Sequence, residues 1–199
     1  MTFTVFEICV LISASVTLII RLWFSFRFNI PRASIMNRHD LQDRCLVFLA
    51  MTAMVILPGL FIFTPFLDVF NYHLPSAMAW CGVPILIVTN ILLWKVHDDL
   101  GASWSARLEI KDEQKLIDHG LYAKVRHPMY TGVLIGGIGQ ARLLHNWLAG
   151  PATFIAGVLF VVFRVPAEER MLLDHFGDAY RSYMARTGRI IPKLFREGR

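Results

Sequence analysis

The chain has 199 residues, of which 55% are hydrophobic and 18% charged, with a mean hydropathy of +0.50 and a formal net charge of +5. A soluble domain carries about 25% charged residues, so this balance argues against a water-soluble globule and for a chain that spends much of its length in lipid. Three well-separated cysteines, Cys9, Cys45 and Cys81, with no CxxC pair, exclude a disulfide framework or a zinc site and are expected to be buried thiols.

A helix needs about 20 mainly apolar residues to cross the hydrocarbon core. In chain order, five segments are predicted to do so: 3–20, 45–66, 74–94, 128–144 and 147–163. The first has no basic region before it and no clear cleavage site, which favours a membrane helix over a signal peptide. The fourth, with TGVLIGGIGQARLL, is rich in glycine. Small residues allow close helix approach, so it is expected inside the bundle. A short turn around His145 and Asn146 joins the fourth and fifth segments into a hairpin. The expected fold is an all-α, polytopic membrane bundle of about five transmembrane helices. It forms one domain over 1–199, with a three-span part, 1–94, and a catalytic half, 95–199.

Nineteen of the twenty Lys and Arg residues lie in 21–44, 95–130 and 164–199, and Arg142 is the exception. Five spans put those three stretches on one face, which the positive-inside rule makes cytoplasmic. The N-terminus is then outside and the C-terminus cytoplasmic. The basic excess sets orientation and attracts anionic lipid. No nucleic-acid-binding motif is present, so a nucleic-acid partner is not expected.

Polar chemistry collects in 97–130 and 164–192, which the hairpin returns to the same face. In VHDDLGASW, Asp98, Asp99 and Trp104 read as a helix end with an interfacial aromatic. Leu116 and Ile117, then Gly120 and Tyr122, suggest a short amphipathic segment ending at a glycine turn. In RHPMY, Pro128 can start a helix, and Arg126 can snorkel. In RVPAEE, Arg164 and Glu168 are four apart and share a face if helix runs through them. Pro166 can open a new helix with Glu168 and Glu169 near its positive end. An ionisable pair at this depth is a functional signal. Phe176, Tyr180 and Tyr183 continue at helical spacing and are expected to pack on the 120–130 loop.

KLIDHGLYAKVRHPMYTG, RVPAEE and FGDAYRSY together resemble the isoprenylcysteine carboxyl methyltransferase family over about residues 95–195, particularly its shorter prokaryotic members. They resemble more loosely the membrane phospholipid N-methyltransferases and the sterol reductases. The resemblance implies an S-adenosylmethionine pocket in the cytoplasmic C-terminal half. Its residues would be Gln114, Lys115, Leu116, Ile117, Tyr122, His127, Pro128, Met129, Tyr130 and Glu168. Many members have histidine where this chain has Gln114. The resemblance also assigns Arg164 to the methyl acceptor and gives Arg164 and Glu168 the catalytic roles. An ionised carboxylate needs no general base to accept a methyl group, and an arginine can hold it with two hydrogen bonds. The reading favours an isoprenylated cysteine or similar lipid-linked carboxylate over a phosphatidylethanolamine-type amine. An NADPH-dependent sterol reductase and a non-enzymatic membrane protein are the remaining alternatives.

Overall fold

The computed structural model describes residues 3–28, 34–37, 41–103, 109–111 and 115–193. Among them, nine α-helices join into longer rods. Helix α1, Val5–Arg27, opens with a capping box, in which the Glu7 N–H donates to the Thr4 hydroxyl and the Thr4 N–H to the Glu7 carboxylate. Helices α2, Leu41–Met51, and α3, Leu57–Phe63, run on through a π-helical turn, Thr52–Ile56. Helices α4, Ser76–Trp80, and α5, Gly82–Leu100, follow. Then come α6, Pro128–Leu143, α7, Ala152–Leu159, α8, Val165–Phe176, and α9, Asp178–Arg186. A second π turn, Phe160–Arg164, makes α7 and α8 one rod. The helical expectation holds, with one addition: β1, Ser34–Asn37, pairs antiparallel with β2, Glu109–Lys111.

Among the described residues, three helical stretches are long and apolar enough to cross a membrane: Val5–Arg27, Leu41–Phe63 and Ser76–Leu100. The other two expected spans differ. At 1.5 Å per residue, the 16 residues of α6 extend about 24 Å, less than a typical hydrocarbon core. The fifth segment begins at Ala152 rather than 147, and its helix continues to Phe176. Residues 144–151 are held in a turn by Asn146, which is fully buried. Its amide donates to the Leu67 carbonyl at 2.7 Å, and its side-chain oxygen accepts from the Leu148 and Ala149 N–H groups. The cysteines also depart from expectation: Cys45 and Cys81 are exposed on the bundle's outside and Cys9 is half-buried.

Glycines let α6 sit between two neighbours, as its sequence suggested. Gly132, Gly136 and Gly139 turn toward α5, where a Cβ would lie 3.4 Å from Leu92, 3.0 Å from Thr89 and 2.8 Å from Leu86. Gly137 turns the other way, onto the Phe154 backbone of α7. Polar clamps complete the packing. The Asn90 amide donates to the Ser13 hydroxyl at 2.8 Å, and the Thr17 hydroxyl donates to Asn90 at 2.9 Å, tying α5 to α1. The buried Thr153 hydroxyl lies 2.9 Å from Gln140 Oε1 and 3.2 Å from the Ala53 carbonyl, joining α7 to α6 and to the first π turn.

Gly137→Val forces overpacking against main chain and is expected to cost about 1–3 kcal/mol. Gly59, with nothing within 4 Å of an added Cβ, is its control. Thermal unfolding in detergent should place Gly137→Val well below wild type and Gly59→Ala at or above it; equal midpoints for all three would contradict the packing.

Candidate functional site

The 120–130 segment is shaped by one glycine and one aspartate. Gly120 has φ +58, and a Cβ there would run into the Asp99 carboxylate. Asp99 Oδ2 accepts from the Leu121 N–H at 2.8 Å, so the end of α5 holds the 3-10 turn Gly120–Ala123. That turn buries Tyr122, whose carbonyl accepts from the Tyr183 hydroxyl at 2.7 Å. Beyond it, the chain runs beside the segment after α9. The Arg126 N–H donates to the Gly188 carbonyl at 2.8 Å and the His127 N–H to the Arg189 carbonyl at 3.0 Å. Pro128 then starts α6, and the Thr131 hydroxyl donates to the Ile190 carbonyl at 2.7 Å.

The second wall is the rod α7–α8. Proline has no N–H, so Pro166 cannot take part in the regular helical ladder. The π turn ends two residues before it and the Val165 N–H reaches back to the Phe160 carbonyl. The first π turn stands in the same relation to Pro58, with the Leu57 N–H bonded to the Thr52 carbonyl. Pro166 therefore lies within a continuous rod. Pro166 and Glu168 do fall in the first turn of α8 as expected, but α8 continues the π turn rather than starting a separate helix.

Glu169 is the hub, on α8. Its Oε1 accepts from Arg126 Nε at 2.9 Å and lies 3.3 Å from His127 Nε2. Its other oxygen pairs with Arg189. Arg126 is 8% exposed and also donates to the Thr187 and Met184 carbonyls. It points into the protein and does not snorkel. Burial alone would raise the Glu169 carboxyl, but hydrogen bonds from His127, Arg189 and Arg126 outweigh it and hold it down at about 2.

Glu168 faces the other way. Its Oε2 accepts from the Tyr130 hydroxyl at 2.9 Å and lies 3.9 Å from His127 Nδ1, while 31% of its side chain stays exposed. Burial raises the Tyr122 phenol well above its ordinary value, and Glu168 raises it further. Arg164, inside the π turn, is 9% exposed. Its Nη1 lies 3.3 Å from Asp43 Oδ1 of α2 and its guanidinium 5.5 Å from the Phe160 ring.

Tyr122, His127, Tyr130, Arg164 and Glu168 thus come together. Pro128 is buried and Met129 half-buried beside them. Lys115, Leu116 and Ile117 lie in irregular chain leading into the Gly120 turn, with no amphipathic helix, and Lys115 is exposed. Gln114 and Trp104 fall outside the described residues. Tyr183 packs on the loop as expected, and Asp118 pairs with Arg186 to tie the loop to α9.

Sequence reading missed Glu169 and Asp43 as members of the cluster. A usable signal existed for both. Glu169 stands four residues from Val165 and from Leu173, and Asp43 three from Leu46 and seven from Ala50. Each is an acid on an apolar helical stripe. Nothing local in the sequence marks Arg189 or Asp99, whose partners are distant along the chain.

A partly exposed carboxylate beside two aromatic rings fits a ligand carrying both an ammonium group and an aromatic base, because the carboxylate can pair with the first and the rings can stack on the second.

Residues 82–174 match the isoprenylcysteine carboxyl methyltransferase (ICMT) family. A protein-S-isoprenylcysteine O-methyltransferase of Tribolium castaneum is 40% identical over 113 residues, which are 56% of this chain and 40% of that protein. A methanethiol S-methyltransferase of a Pseudomonas species is 31% identical over 123 residues, 59% of this chain and 45% of that one. The solved structure of the eukaryotic intramembrane Ras methyltransferase ICMT superposes with a TM-score of 0.53 at 26% identity, covering 80% of this chain and 55% of its own. The chain spans about half the length of the curated relatives it matches.

Glu169→Gln leaves the buried Arg126 guanidinium without its counter-charge, which costs about 3–5 kcal/mol. The folded carboxyl titrates below its ordinary value of 4.5, so its contribution is complete above that pH and is lost as pH falls through about 2. Thermal unfolding from pH 7 to pH 2 should show a lower midpoint for Glu169→Gln at neutral pH and a shallower loss in acid. Parallel curves would contradict the hub.

Proposed function

With residues 82–174 falling in the isoprenylcysteine carboxyl methyltransferase family, we propose that the chain is an S-adenosylmethionine-dependent O-methyltransferase. Its acceptor is the carboxylate of an isoprenylated cysteine or similar lipid-linked molecule, met at the cytoplasmic membrane face. One observation carries the reading most: an accessible carboxylate, Glu168, and a buried guanidinium, Arg164, stand one turn apart beside the His127–Tyr130 segment.

On this reading Glu168 holds the donor's amino group. Tyr122 and Tyr130 flank its aromatic or cationic parts. His127, Pro128, Met129 and the chain from Lys115 to Ile117 complete the pocket. When bound, the donor supplies an electrophilic methyl: the acceptor oxygen bonds to it as the carbon–sulfur bond breaks, leaving a methyl ester and a neutral thioether with no proton to move. Arg164 orients the carboxylate. Tyr130 keeps Glu168 in place through its 2.9 Å hydrogen bond. The buried rings exclude water, so what the protein supplies is alignment and a dry site.

The Pseudomonas relative favours a second reading, in which the acceptor is a thiol. Purified protein should transfer radiolabelled methyl from S-adenosylmethionine to a prenylated thioacetic acid and not to the matching alcohol. Glu168→Gln and Arg164→Lys should each lower kcat/KM by about a hundredfold, since lysine cannot reproduce a bidentate contact. Normal turnover by either variant would overturn the assignments, and methyl transfer to a simple thiol alone would favour the second reading.

A further inference from the structure

Asp43 lies outside the family match, on α2, in the part of the chain that sequence reading left without chemistry. It is 8% exposed, and its Oδ1 sits 3.3 Å from Nη1 of an equally buried Arg164. Asp43 shares its helix face with Leu46 and Ala50, which belong to the apolar cluster with Ala53, Ala156 and Phe160. A carboxylate in such a stripe is costly unless it meets a cation. Among the described residues it meets the guanidinium that the proposed function gives to the acceptor. The Phe160 ring links the three charges: it lies 5.5 Å from the Arg164 guanidinium that Asp43 holds and 5.7 Å from the ring of Tyr130, whose hydroxyl donates to Glu168.

We infer that Asp43 is an internal surrogate for the acceptor carboxylate. It holds Arg164 while the acceptor position is empty, gives it up to an entering carboxylate, and reclaims it once that carboxylate has become an ester. The inference rests on the proposed function for the acceptor's chemistry. Its physical basis is competition between two anions for one buried cation. Before methylation the acceptor is an anion and can displace Asp43. Afterwards it is neutral and offers Arg164 only weak carbonyl contacts, whereas Asp43 still offers a full charge. The Asp43–Arg164 pair therefore lowers affinity for the acid, which must displace Asp43, and leaves affinity for the ester, which does not, nearly unchanged. It also keeps the guanidinium paired and aligned between turnovers. This makes Asp43 a determinant of acceptor charge, supplied by the N-terminal part of the chain to the catalytic half.

The test is calorimetric binding of a prenylated thioacetic acid and of its methyl ester to the full chain in detergent, without a methyl donor. Asp43→Asn should bind the acid about tenfold more tightly than wild type and the ester within about twofold, tenfold being about 1.4 kcal/mol. Asp43→Glu, which keeps the competing charge, should return acid affinity to near the wild-type value. Acid affinity unchanged or weakened in Asp43→Asn would overturn the inference. Should Asp43→Asn fail to fold, a structure of wild type with the acid bound decides: the acid on Arg164 with Asp43 moved away supports it, and an intact Asp43–Arg164 pair overturns it. Tighter acid binding without any methylation would remove the proposed function and the ester half of this inference, and leave Asp43 as a competitor of an entering carboxylate for Arg164. Methylation with equal binding would do the reverse.

Discussion

Glu169 organises the polar end of this bundle. A carboxylate that is 3% exposed could not remain ionised alone. It does so because Arg126, His127 and Arg189 converge on it from two other segments. Each partner is thereby fixed as well. Arg126 turns inward, the His127 ring is held through Nε2, and the chain after α9 is drawn along the start of α6. The neighbouring Glu168 can then stay partly open, with its position set by Tyr130. Two adjacent glutamates have different surroundings, one enclosed by ion pairs and one partly exposed, because adjacent positions on a helix point about 100° apart.

The π turns are the second constraint. A regular helix through Pro166 would lose hydrogen bonds and clash with the preceding turn. The wider turn at Phe160–Arg164 absorbs that and keeps the rod continuous. It also carries Arg164 to the face of Asp43. The matching turn at Thr52–Ile56 leaves the Ala53 carbonyl within reach of Thr153. Through these two turns, residues 1–94 meet residues 95–199 by the Asp43–Arg164 ion pair and the contact of Thr153 with the Ala53 carbonyl.

Local pattern in the sequence carried much of this fold. The long apolar runs, the glycines of α6 and Pro128 at a helix start each depend on neighbours within a few residues, and all are found in the structure. The cluster of Tyr122, His127, Tyr130, Arg164 and Glu168 was legible through its resemblance to a family, since its members sit in three short motifs. What local pattern could not show was pairing across distance. Asp43 with Arg164, Asp99 with Leu121 and Arg189 with Glu169 join residues that only the folded bundle brings together. The turn expected around His145 and Asn146 is present but runs over 144–151, because Asn146, an ordinary polar residue in sequence, caps it from a fully buried position.

The proposed function stands or falls with the space beside Glu168 being a methyl-donor site. Calorimetric titration of S-adenosylhomocysteine into the purified chain in detergent, beside Glu168→Gln, tests it most directly. The account predicts saturable one-to-one binding by wild type and a loss of at least about tenfold in affinity in the variant. Absence of binding to folded wild type, or equal binding by both proteins, would contradict it.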